Sequence, residues 1–241
     1  MIEEFVDIQR PDGVMNTFVV RPDEGGPFPV VLFLMDAPGM REELRMMSRR
    51  IASTGYYVMA SQLYYRQVDE FNVFETGDRD RMFELMGALS NQLVTDDAGA
   101  MMAHADGDAT ADASRVGTVG YCMSGPFALM AAAGHPERVK AAASIHGVSL
   151  AVDADDSPHR HLTEMNAEIY VGAAEHDSYA PPKMIAEFEK AKVEAGTPGR
   201  VEWYPGTEHG FAFAERPLYE MASSERHWER LHSLFRRNLS A

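Results

Sequence analysis

Val119-Gly120-Tyr121-Cys122-Met123-Ser124-Gly125 stands between a β-like apolar run and an apolar helix-like run, and it holds the only cysteine of the chain. A strand that turns directly into a helix strains the residue at the bend, and the positions two residues either side of it must be small. Gly120 meets this requirement before Cys122, and Ser124, followed by Gly125, comes close to it after. A bend centred on Ser124 fails, because Cys122 and Pro126 would then occupy the small positions. Cys122 is therefore the expected tip: a nucleophile at the start of a helix, where the helix dipole favours negative charge.

The same alternation continues on both sides. Segments 3–9 and 16–21 alternate as two strands around Pro11-Asp12-Gly13. Pro29-Val-Val-Leu-Phe-Leu-Met35 is a short, continuously apolar run, the pattern of a strand buried on both faces, and it ends at the loop Asp36-Ala37-Pro38-Gly39. Helical spacing is expected over 42–53, 79–92, 94–105, 125–133, 182–195 and 222–238, with further strands at 56–61, 115–120, 139–146, 167–172 and 200–204. Strands separated by helices of this length predict an α/β domain whose mostly parallel central sheet carries helices on both faces, one domain spanning residues 1–241. Ligands bind such sheets beyond the carboxyl ends of the strands. Asp36, Cys122, Asp177 and His209 each follow a strand, so the topology converges them at one end of the sheet.

Composition narrows the function. The chain has 241 residues, 45% of them hydrophobic, enough for a large core, and 16 methionines are expected to serve as core filling. A net charge of −15 argues against nucleic acid or an anionic membrane as partner, since both require basic surface. The first residues lack the basic and apolar regions of a signal peptide. No run approaches the roughly 20 apolar residues of a membrane span. With one cysteine, a cytoplasmic location is expected. No nucleotide-binding glycine motif or metal-ligand spacing occurs, so neither cofactor nor metal is expected. The expected partner is a small molecule, and the expected assembly a monomer or small homo-oligomer.

A thiol with a free pKa near about 8.5 needs a base or a charge-stabilising environment to work at neutral pH. Among nine histidines, His209 in Tyr204-Pro-Gly-Thr-Glu-His209-Gly-Phe-Ala-Phe213 follows a strand late in the chain, and His176 and His146 are rivals. Asp177, between a strand end and Pro181-Pro182, is the expected acid, with Glu175 as rival. The order nucleophile, acid, base is that of the α/β-hydrolase fold. An oxyanion would be held by the N–H of Met123, after the nucleophile, and by that of Ala37 in the early loop; Pro38 has no N–H to give.

These residues resemble the dienelactone hydrolase family through most of the chain. The family's Gly-Tyr-Cys-x-Gly-Gly elbow is similar to Gly120-Tyr-Cys-Met-Ser-Gly125. Its acid segment is similar to Gly172–Pro181 with two extra residues before Asp177, its Tyr-x-x-x-x-His-x-Phe-Ala segment to Tyr204–Ala212, and its Leu-Tyr-Tyr-Arg to Leu63–Arg66. The resemblance implies hydrolysis of an activated ester or enol lactone through an acyl-thioester. It implies an acidic residue that acts on the thiol, here Asp36 in place of the usual Glu. It also implies two arginines on a substrate carboxylate. Arg79 stands at the first, with Phe83 nearby where a Tyr is common; Phe213 replaces the second, and Arg216 is a substitute cation. The competing readings are a non-catalytic small-molecule binder on the same fold and a general carboxylesterase for apolar substrates.

Overall fold

The computed structural model describes residues 1–240. Eight strands, β1 (Ile2–Arg10), β2 (Gly13–Arg21), β3 (Phe28–Leu34), β4 (Tyr57–Ser61), β5 (Ala111–Tyr121), β6 (Val139–Ile145), β7 (Glu168–His176) and β8 (Gly199–Glu208), form one sheet. Their order is β1-β2-β4-β3-β5-β6-β7-β8; the first two pairings are antiparallel and the other five parallel. The helices are α1 (Glu42–Ala52), α2 (Val73–Thr76), α3 (Arg79–Gly87), α4 (Asn91–Ala105), α5 (Gly125–Gly134), α6 (Pro182–Ala195) and α7 (Met221–Leu239). This is the α/β-hydrolase architecture expected from the alternation.

The apolar run of β3 explains why the sheet is covered twice. Val31 and Phe33 point into a core shared with Leu44, Ile51 and the α7 residues Leu231 and Phe235. Val30 and Leu32 point the other way, into a core with Met101 and Met102 of α4 and Phe188 of α6. Successive side chains of a strand alternate between faces, so a strand sandwiched by helices must be apolar throughout. All four are fully buried, each contributing about 1.5–3 kcal/mol by removal from water. No helix among the described residues is long and apolar enough to cross a membrane.

Several boundaries differ from expectation. The helix expected over 79–92 stops at Gly87, and α4 starts at Asn91, because the Ser90 side chain accepts the Leu93 N–H at 3.2 Å and caps a new helix. Two strands run on to the residues before the expected acid and base: β7 reaches His176 and β8 reaches Glu208, despite Pro205 and Gly206. A register shift after Ala174 absorbs the irregularity, and Glu175 stabilises it by accepting the Gly206 N–H at 2.7 Å. Asp177 and His209 thus leave two paired strands side by side. The four-residue α2 had no sequence signal long enough to read.

Candidate active site

The bend after β5 has the strain the sequence requires. Cys122 sits at φ 55, in the left-handed region that non-glycine residues avoid at about 1–2 kcal/mol. A Cβ on residue 120 would lie 1.9 Å from the Ser124 carbonyl oxygen, so only glycine fits there. Ser124 is small and also useful: its Oγ donates to the Met35 carbonyl, tying the elbow to the end of β3. Met35 is followed by Asp36 and Ala37, so this contact joins the nucleophile to the loop expected to hold the oxyanion. The N–H of Ala37 has no intramolecular acceptor among the described residues. Tyr64, fully buried, donates its hydroxyl to the Ala37 carbonyl at 2.8 Å and lies 3.4 Å from the Met123 sulfur, bracing both residues.

His209 Nδ1 lies 2.7 Å from Asp177 Oδ2. The other Asp177 oxygen accepts the Tyr179 and Ala180 N–H groups at 2.9 and 3.0 Å, so the carboxylate is fixed from both sides while its side chain is fully buried. His209 Nε2 has no regular hydrogen-bond partner and shares its cavity with Cys122. Burial, the largest influence, opposes charge on this ring. The bond to Asp177 and the neighbouring Cys122 sulfur outweigh it and push the His209 pKa up to about 10.

The rivals are placed differently. Glu175 is committed to Gly206, and His176 is exposed beside Glu175 at 3.6 Å. His146 is buried, its ring 4.8 Å from that of His209 and enclosed by Tyr121, Phe211 and Phe213. Neither of its ring nitrogens has a partner, and burial with the nearby His209 and His227 pushes its pKa far down. It packs behind the His209 ring with no acid to orient it.

A cavity of about 400 Å³ gathers most of the expected residues: Asp36, Ala37, Arg79, Phe83, Cys122, His209, Phe213 and Arg216 all line it. Asp177 and Met123 stand behind this wall. Phe74, from the unread α2, and Tyr179, whose ring lies 4.9 Å from that of His209, also line it. Neither carried a sequence signal beyond an aromatic in a loop.

Asp36 is engaged differently from the expectation that it addresses the thiol. Its carboxylate takes both terminal nitrogens of buried Arg41 and also Arg216 Nη2 at 2.7 Å. Arg41 in turn binds Glu43 Oε2 at 2.7 Å. The Phe213 ring is faced by the Arg41 and Arg216 guanidiniums, each 5.1 Å from its centroid. Arg79 is exposed and forms no ion pair among the described residues. No group of three or more His, Cys, Asp or Glu placed to hold a metal occurs among the described residues.

Comparison with known proteins finds relatives along most of the chain. Residues 15–239 match the pattern of the Dienelactone hydrolase family. A protein of Methylorubrum extorquens provisionally named a carboxymethylenebutenolidase is 30% identical over 96% of this chain and 79% of its own length. An Escherichia coli protein of the same provisional name is 26% identical over 98% of this chain and 87% of its own. A Klebsiella pneumoniae crystal structure, provisionally described as a dienelactone hydrolase, superposes with a TM-score of 0.89 and 25% identity over 98% of each chain.

Proposed function

Because the chain belongs to the dienelactone hydrolase family, we propose that it hydrolyses activated carboxylic esters or enol lactones with Cys122 as nucleophile, His209 as acid and base, and Asp177 as its anchor. The observation that carries this reading is the junction of a strained Cys122 and an Asp177-pinned His209 on one cavity wall.

The Cys122 thiolate attacks the substrate carbonyl carbon, and the carbonyl oxygen gains negative charge opposite the Ala37 and Met123 N–H groups. The carbon–oxygen bond then breaks, and the leaving oxygen takes a proton from His209 Nε2. An acyl-thioester remains. Water attacks it, His209 takes the water's proton, and the carbon–sulfur bond breaks to return the thiolate and release the acid. Acylation removes the influence of Cys122, one of those that raise the His209 pKa, so the ring is held less firmly as imidazolium and is available to take a proton from water. A thiolate is itself easily expelled from the tetrahedral intermediate, which favours enolates and phenolates as leaving groups and disfavours amides.

Arg79, free of ion pairs among the described residues, and Arg216 form the cationic part of the cavity and suit a carboxylate on the substrate. A substrate carboxylate that takes Arg216 leaves Asp36 to Arg41, which still binds both of its oxygens. Without a substrate carboxylate, Asp36 anchors Arg216.

The lone thiol makes the test simple. One equivalent of iodoacetamide is expected to alkylate Cys122 quickly near neutral pH, with loss of 4-nitrophenyl acetate hydrolysis in proportion. A reaction that needs denaturant, with no esterase activity in the native protein, would favour the binder. The pH profile supplies a second check. His209 holds its proton through neutrality and loses it as the pH rises through about 10. The kcat/KM for phenyl acetate, which needs a proton on its leaving oxygen, is expected to fall over that range. That for 4-nitrophenyl acetate, whose phenolate leaves unaided, falls less.

A further inference from the structure

A second cavity of about 360 Å³ adjoins the catalytic one, sharing Ser149 and Tyr179 with it and no other lining residue. Its walls are the apolar groups of Ala151, Val152, Pro181 and Met184, with Lys183 and Glu187 also bordering it. The neck between the two is a built feature. Ser149 adopts φ 54, and the other non-glycine residues at positive φ are Cys122 and His146, both already placed at the site. Strain of this kind concentrates where a fold serves function. Tyr179 is held by its N–H to Asp177 while its ring leans on His209, so the neck is fixed relative to the acid–base pair.

We propose that this second cavity is the subsite for the alcohol side of the ester, and that it takes an extended apolar leaving group, an alkylated ring or a chain. The inference rests on the ester-hydrolase reading above. The leaving oxygen must reach the proton on His209 Nε2, so the alcohol part of the substrate emerges on the His209 side of the sulfur, where Tyr179 stands. Arg79 and Arg216 line the catalytic cavity alone, which leaves the acyl part and its carboxylate to them. A cavity of about 150 Å³ accommodates benzene, so the subsite has room for a substituted ring.

Two ester series separate the sides: 4-alkylphenyl acetates, in which the alcohol lengthens at nearly constant leaving-group strength, and 4-nitrophenyl esters of lengthening acyl groups. The kcat/KM of the first series is expected to rise about threefold per methylene until the subsite is filled. Val152→Asp, at an exposed position, is expected to flatten that rise while the acyl series keeps its slope. In Cys122→Ala protein, 4-butylphenol should bind at least tenfold more tightly than phenol, and Val152→Asp should remove the difference. A flat alcohol series beside a steep acyl series, with turnover still lost on alkylation of Cys122, would overturn the subsite and leave the hydrolase reading standing. Turnover that survives alkylation would overturn that reading and the subsite with it.

Discussion

Asp177→Asn is expected to lower kcat on phenyl acetate by about 10⁴-fold, the scale seen when a triad acid loses its charge but keeps its shape. The hydrogen bonds dictate how the amide must sit. Two backbone N–H groups, of Tyr179 and Ala180, converge on Oδ1, so the amide oxygen has to occupy that place and the amide nitrogen has to face His209. An N–H donor facing Nδ1 forces that nitrogen to be an acceptor and moves the single proton of the neutral ring to Nε2. The imidazolium, which the carboxylate sustains at neutral pH, loses a main support. The enzyme then has neither the positive ring that favours a thiolate nor an acceptor at Nε2 for the attacking water. Because size and backbone bonds are preserved, the far-UV circular dichroism and melting temperature should stay near those of the parent. A drop of less than tenfold would show that Asp177 does not act through His209.

The sequence already carried the elements that depend on local pattern. The seven-residue apolar β3 and the glycine two residues before the cysteine each follow from steric or period rules that act within a few residues, and the order of Cys122, Asp177 and His209 follows from the chain order of the fold. What it did not carry arises from contacts between distant segments. Arg41 carried no signal in the sequence, yet it is buried under Phe74 and Phe213 with Asp36 and Glu43 on its guanidinium. Tyr64 lies in a recognisable motif, but its grip on the Ala37 carbonyl and the Met123 sulfur exists only once β3 and β5 are side by side. Ser124 looked like an imperfect glycine and is instead a fastening to β3. Tyr179 gave no signal at all, since an aromatic in a proline-bounded loop is as often exposed as it is a wall. The residues missed are the ones that hold the site together, while most of the expected residues face the cavity.

Arg41→Ala is accordingly expected to destabilise the fold more than any change at a cavity-facing cation. The side chain is 4% exposed and serves two carboxylates, both almost completely buried. Its removal leaves Asp36 with Arg216 alone and Glu43 with the Glu215 N–H at 2.9 Å, two buried negative charges with one cation between them. Breaking a buried pair in this way costs about 3–5 kcal/mol, because the stranded charge keeps its desolvation penalty and loses its compensation. Total stabilities are about 5–15 kcal/mol, and a chain of this size loses roughly 2–4 °C per kcal/mol. A fall in melting temperature of about 10 °C is expected by calorimetry at neutral pH. Arg216→Ala should cost much less, since Arg216 is a quarter exposed and Asp36 keeps both bonds to Arg41. Adding Glu43→Gln to Arg41→Ala should restore part of the loss by removing one stranded charge. Equal effects of Arg41→Ala and Arg216→Ala, with no recovery in the double variant, would mean that the buried network contributes little and that Asp36 is held by Arg216.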